Sequence, residues 1–241
     1  MGSEPERFQI EGSWPAADVE PARILVVAPH ADDEVIGCGG TIARAAAAGC
    51  HVTLVVMAMG GVKHHHLGTA ASREERHAEL EQAAALLGIG ETRVLFPGWD
   101  MQLESLSMFQ LVTALDEVIA ARDYAECYLP EPSHNLDHRL THEATLSALR
   151  QRGRRPIRLI ASYEGTVAGW QSSAGPAGRL YVDIGRTLEA KIAALNAYSS
   201  QIREYPHPTS EEALRRLAAM RGLECGVEHA ERFHVHRLVR I

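Results

Sequence analysis

Two short segments concentrate the side chains able to do chemistry. The first, Pro29-His30-Ala31-Asp32-Asp33-Glu34, sets one imidazole and three carboxylates side by side. Alone, such a cluster suffers like-charge repulsion and desolvation, which a divalent cation relieves. His30 and Asp33, three apart in a tight turn, can bind one ion together, because Zn²⁺ accepts both nitrogen and oxygen ligands. Asp32 between them then points elsewhere and is free to act as a base. A plainer reading makes these acids the N-terminal cap of the next helix, stabilised by its dipole, although one carboxylate suffices for that. Gly37, Gly39 and Gly40 follow, but the GxGxxG spacing of a dinucleotide loop is absent and a triply acidic loop repels pyrophosphate.

The second segment, PEPSHNLDHRLTHEAT from Pro130 to Thr145, holds His134, Asn135, Asp137, His138 and His142. His138 and His142 are four apart at a helix start and share a face. Arg-Leu-Thr stands between them and no Glu follows the first His, so this is not the HExxH of a zincin. Taken singly, each histidine is a satisfied structural residue. Both segments follow strand-like runs, and open parallel sheets bind ligands beyond the carboxyl ends of their strands. Two polar clusters converging at one sheet edge favour a metal site.

The elements that must position these segments alternate. Apolar runs at 24–28, 51–57, 92–96, 124–129 and 157–163 read as strands, the first buried on both faces. Helices are expected over 36–48, 72–87, 108–121 and 138–150, with Ser72 and Glu75 forming a capping box and Gly49 and Gly88 as stops. Strands separated by helices of this length imply parallel crossovers. The last third is less regular: a Gly/Ser-rich loop over 165–178, helices near 186–198 and 210–221, and a strand over 233–239. The expectation is a single three-layer α/β/α domain with a mostly parallel, Rossmann-like sheet over 23–241, after an N-terminal extension of residues 1–22.

Composition supports this and excludes other classes. The 241 residues include 24 Lys plus Arg against 31 Asp plus Glu, a formal charge of −7, which argues against a bulk nucleic-acid binder. No run approaches the ~18 apolar residues of a membrane span. The acidic, Pro-containing start lacks the apolar core of a signal peptide, so the expected location is the cytoplasm. Four scattered cysteines form no CxxC pair and suit a reducing compartment. The thirteen histidines exceed what an ordinary globular composition needs.

From Ile24 to Gln201 the sequence resembles the PIG-L/LmbE-like zinc-dependent de-N-acetylases. PHADDE followed by Gly37-Cys38-Gly39-Gly40 is similar to the family's first signature, and Leu136-Asp137-His138-Arg139 to its HxDH motif. Arg76, Glu79, Ala83, Leu87 and Gly88 repeat an RxxExxxAxxxLG pattern, and Lys191 with Tyr198-Ser199-Ser200-Gln201 resembles a late K…YxSQ segment. The resemblance implies His30, Asp33 and His138 as ligands of Zn²⁺, Asp32 as general base, and Asp137 as the group orienting an imidazole. The family's His three residues before the last ligand is replaced by Asn135, which leaves His134 or Asn135 to stabilise the oxyanion. The implied reaction hydrolyses an N-acetyl or N-formyl amide on an amino sugar or its glycoside, a small-molecule partner, and a homo-oligomer is compatible with it.

Substrate contacts are expected from the loops. Arg73 or Arg76 offers a fork of donors for a hydroxyl or phosphate, against the plainer reading of a solvated helix face. Glu164 and Trp170 suit hydroxyl binding and sugar stacking. Lys63 and His64–His66 line the rim or form an inconsequential surface loop. The competing readings are a metallophosphoesterase, which needs more bridging carboxylates, and a metal- or nucleotide-binding module without turnover, which has no need of Asp32.

Overall fold

In the computed structural model residues 22–64, 69–99, 101–150, 156–166 and 178–240 are described. Residues 1–21 of the N-terminal extension, His65, His66 and Trp170 lie outside them.

Strand β1 (Arg23–Ala28) is buried from Ile24 onward and β2 (His51–Met59) from Val52 onward, as continuous apolar runs in a parallel sheet require. Alternate side chains leave the sheet on opposite faces. Ile24, Val26 and Ala28 enter one core with α1 (Asp33–Ala47), α2 (Arg73–Leu87) and α5 (Leu188–Ala197). Leu25 and Val27 enter the other, with α3 (Met108–Ala121) and α4 (Leu136–Ala148). The two cores make the three expected layers. Ser72 caps α2 in the expected box with Glu75, and Gly88 ends it in the left-handed conformation, φ 73°.

With β5 (Glu91–Pro97), β6 (Glu126–Pro130), β7 (Leu159–Tyr163), β8 (Gly178–Asp183) and β9 (Ala230–Leu238), the sheet has seven strands in the order β5-β2-β1-β6-β7-β9-β8. The first five are parallel; β9 is antiparallel to both β7 and β8. From β1 the chain winds outward through β2 to β5, then returns to β6 on the other side of β1. The strand order therefore reverses between β1 and β6, and a crevice opens beyond their carboxyl ends. Both chemistry-bearing segments start there, PHADDE after β1 and PEPSHNLDH after β6.

The structure departs from the sequence expectations at edges. Helix α1 begins at Asp33, so Asp33 and Glu34 are helical. Helix α4 begins at Leu136, which puts His138 inside its first turn. A short hairpin of β3 (Val62–His64) and β4 (Thr69–Ala71) and the edge strand β8 are additional. Helix α6 (Glu211–Cys225) packs on β9. All four thiols are free, with Cys38, Cys50 and Cys127 buried. Among the described residues no helix is long and apolar enough to cross a membrane.

Candidate metal centre and active site

The chain leaves β1 at Ala28 and turns into α1 within four residues. Asp32 takes the N-cap position with φ 125°, a backbone conformation costing a non-glycine residue roughly 1–3 kcal/mol. Its side chain makes no cap hydrogen bond, so the capping reading of this cluster does not hold for Asp32. The turn is fixed by neighbours instead. The His30 backbone N–H donates to Asp33 Oδ2 at 3.1 Å, the Asp32 N–H donates to Glu34 Oε2 at 3.1 Å, and Arg76 Nη2 donates to the Ala31 carbonyl at 3.0 Å.

From the other side, α4 delivers His138. Donor atoms of His30, Asp33 and His138 all lie within 4.8 Å of one another. His30 Nδ1 and His138 Nε2 are each 3.4 Å from Asp33 Oδ2. A tetrahedral zinc site with bonds of about 2.05 Å has edges of about 3.4 Å. Both imidazole nitrogens stand at that spacing from the carboxylate oxygen, and this donor set fits a divalent ion of zinc's size and ligand taste, with positions left for water and substrate. Asp137 stands behind the cluster, 1% exposed. Its Oδ2 lies 2.9 Å from His30 Nε2 and its Oδ1 accepts the Leu103 N–H at 3.1 Å. A carboxylate on Nε2 places the proton there and leaves the Nδ1 lone pair to the ion.

The electrostatics separate the three acids. Burial opposes ionisation of Asp33, but the imidazoles of His138 and His30 outweigh it and hold its carboxyl well below the usual range. Burial, reinforced by the Asp33 charge, pushes Asp32 well up, with Arg76 pulling the other way. Burial pushes Glu34 up to about 7 despite its hydrogen bonds. Glu34 is fully enclosed and accepts from Tyr198 Oη at 2.6 Å, so it belongs to the framework.

The helix α4 cap decides what Asn135 can do. Its Oδ1 accepts the Asp137 N–H at 2.9 Å, and its Nδ2 rests on Met101 Sδ at 3.7 Å, a weak acceptor. His134 is exposed, and its carbonyl accepts from Arg139 Nη1 at 3.0 Å. Arg76 is 2% exposed, and among the described residues its Nε and Nη1 have no hydrogen-bond partner. Arg73 is exposed on the first turn of α2, 3.9 Å from Glu74. Glu164 accepts from Arg221 Nε and Nη2, both at 2.7 Å, and from Arg232 Nη2, so its oxygens are already engaged. His142, one turn beyond His138, bonds the Pro130 carbonyl at 2.8 Å and packs its ring against His236.

Several framework residues are not obvious from the chemistry-bearing segments. Glu79 accepts from Ser199 Oγ, Ser200 N and Ser200 Oγ at 3.0, 2.7 and 2.7 Å, tying α2 to the segment after α5. That contact joins the RxxE and YxSQ segments, and Tyr198 on Glu34 joins the latter to PHADDE. Tyr163 donates to the Val27 carbonyl at 2.9 Å and lays its ring on Gly37, where a Cβ would sit 2.0 Å from Cδ2.

Known proteins share both fold and sequence. An N,N'-diacetylchitobiose deacetylase from Pyrococcus horikoshii superposes with a TM-score of 0.71 at 25% identity, covering 89% of this chain and 83% of that one. A 1D-myo-inositol 2-acetamido-2-deoxy-alpha-D-glucopyranoside deacetylase from Kineococcus radiotolerans is 31% identical over 163 residues, 54% of this chain and 45% of the relative. One from Catenulispora acidiphila is 41% identical over 85 residues, 32% of this chain and 28% of the relative. The chain thus spans less than half the length of these curated relatives. Residues 25–149, which hold both converging segments, match the GlcNAc-PI de-N-acetylase description. On that match the chain belongs to the PIG-L family of GlcNAc-PI de-N-acetylases.

Proposed function

We propose that this chain is a zinc-dependent amide hydrolase that removes the acetyl group from an N-acetylglucosamine-type amino sugar or its glycoside. The observation that carries the reading is the convergence of His30, Asp33 and His138 on one point, with Asp32 beside them and not committed to capping. The named activities of the relatives support the same chemistry. When bound, zinc supplies a polarised amide carbonyl and a water whose pKa is lowered towards ~7.

The chain's own side chains do the rest. Asp32 accepts the proton of the attacking water and returns it to the departing nitrogen, so water and amide become acetate and a free amine. Asp137 keeps the His30 proton on Nε2. Asn135 is assigned as the oxyanion donor: its Oδ1 is spent on the helix cap, whereas among the described residues its Nδ2 meets a thioether, a weak acceptor. Arg76 lies in the interior with its charge beside Asp32, and its Nε and Nη1 have no hydrogen-bond partner among the described residues; it is assigned to steadying the Asp32 carboxylate and the Ala31 carbonyl, and Glu164 is already paired with two arginines. A two-metal phosphoesterase needs a second set of donors, and among the described residues there is one such cluster.

The test is metal content measured together with acetate release from N-acetylated sugars. Asp32→Asn is expected to keep its zinc and lose about 10²–10⁴-fold in turnover, and His30→Ala to lose both. Undiminished turnover in Asp32→Asn would remove the base assignment.

A further inference from the structure

Helix α1 is two pieces. Cys38, at φ −145° and ψ 22°, is outside the helical region and separates the turn carrying Asp33 from the remainder. Such a break strands carbonyls on one side and N–H groups on the other, and buried backbone groups must find partners. Here two charged side chains from other elements supply them. Lys191 of α5 donates from Nζ to the Ile36 carbonyl at 2.9 Å. Glu231 of β9 accepts the Gly40 N–H on Oε1 at 2.9 Å and the Thr41 N–H on Oε2 at 2.8 Å. The two close on each other at 2.6 Å, with side chains 5% and 3% exposed. Small residues make room: a Cβ at Gly39 would lie 3.2 Å from Lys191 Cγ, and one at Gly40 2.7 Å from Ile184 Cγ2.

A buried ion pair is a poor stability device, because an apolar pair of similar size is often as stable or more so. What this pair does that an apolar pair cannot is bond both broken ends of α1 at once, which sets the position of one piece against the other. The short front piece presents Asp33 and is preceded by Asp32. Glu34 and Arg76 hold it from the front, and Lys191 is the group that holds its rear carbonyl.

We propose that Lys191 and Glu231 are positioning residues of the metal centre: by replacing the helix hydrogen bonds lost at Cys38, they fix the turn that carries Asp32 and Asp33. The proposal rests on the metal reading above. It accounts for one of the chain's two lysines lying in the interior.

The test uses the full chain with Lys191→Met combined with Glu231→Gln, which avoids leaving a single buried charge. Gln offers a donor where one of the two N–H groups needs an acceptor. Glu231→Asp serves as a milder second variant, and Val118→Ala, in the other core, as a control for lowered stability. Two readouts are taken: Co²⁺ affinity with the visible spectrum of the bound ion, and hydrogen exchange of the amides of residues 33–37 in metal-free protein. The expected result is at least tenfold weaker Co²⁺ binding, a changed spectrum and at least tenfold faster exchange in the double variant. Glu231→Asp is expected to fall between it and wild type, with Val118→Ala at wild-type values. If the double variant matches Val118→Ala in affinity, spectrum and exchange, the proposal is overturned. If the wild type takes up no Co²⁺, the metal reading fails instead. Exchange then still decides the role of the Lys191–Glu231 pair: faster exchange in the double variant upholds its hold on the turn, and unchanged exchange overturns it.

Discussion

Replacing Asp137 by Asn changes few atoms and reverses one proton. The carboxylate accepts on both oxygens, from Leu103 N–H at 3.1 Å and at His30 Nε2, 2.9 Å away. An amide has one acceptor, which the buried Leu103 N–H claims, because orphaning that group costs about 1–3 kcal/mol. The amide NH₂ then faces His30 Nε2, which must become an acceptor, and the imidazole proton moves to Nδ1. That is the nitrogen facing Asp33 and the metal position. Loss of a second partner of this kind typically lowers metal affinity 10–100-fold, or about 1.4–2.7 kcal/mol. Asp137→Asn is therefore expected to fold normally and bind zinc 10–100-fold more weakly in a chelator competition assay. Asp137→Ala is expected to weaken zinc similarly and also lose about 1–3 kcal/mol of stability in urea. Wild-type zinc affinity in Asp137→Asn would refute the assignment of Nδ1 as the ligand atom.

Three further outcomes follow from the same geometry. Asn135→Asp keeps the α4 cap but removes the Nδ2 donor, so kcat is expected to fall about 10²–10³-fold while His134→Ala changes it only a few fold; the reverse ranking in steady-state kinetics would make His134 the oxyanion donor. Burial, and then the neighbouring Glu164, push Glu131 up to about 7 from an ordinary 4.5. Its folded pKa is above its unfolded one, so its contribution is complete below pH 4.5 and is lost as pH rises through 7, by at most roughly 3 kcal/mol. Urea midpoints of Glu131→Gln are expected to lack that decline between pH 5 and 8; an equal decline in variant and wild type would contradict it. Gly37→Ala drives a Cβ into the Tyr163 ring and is expected to cost at least about 1–3 kcal/mol, read as a lower Tm, with an unchanged Tm counting against the packing.

Where the sequence was informative, simple rules carried the information. Ile24–Ala28 had to be a doubly buried strand, Ser72 with Glu75 had to open a helix, and His30 with Asp33 could meet in one turn. Each of these depends on neighbours a few residues away. That PHADDE and PEPSHNLDH meet depends on β6 lying beside β1, which the alternation of strands and helices implies but does not fix. The framework was hidden for the same reason. Lys191 and Glu231 are 40 residues apart, and Glu34 and Tyr198 164 apart. The helix start at Asp33 is not legible in the sequence because Asp32 enters through a positive φ that Asp rarely adopts. Glu164 is a carboxylate after a strand, the expected place for a ligand-binding acid. Its occupation by Arg221 and Arg232 depends on α6 and β9, far along the chain.

Amide hydrolysis is proposed to depend on one zinc held by His30, Asp33 and His138. The most direct measurement is zinc content and acetate release on one preparation of wild type, Asp32→Asn and His138→Ala. One zinc per wild-type chain with chelator-sensitive acetate release is expected, full zinc with release lowered about 10²–10⁴-fold in Asp32→Asn, and neither zinc nor release in His138→Ala. Acetate release that survives chelation, or stoichiometric zinc in His138→Ala, would contradict it.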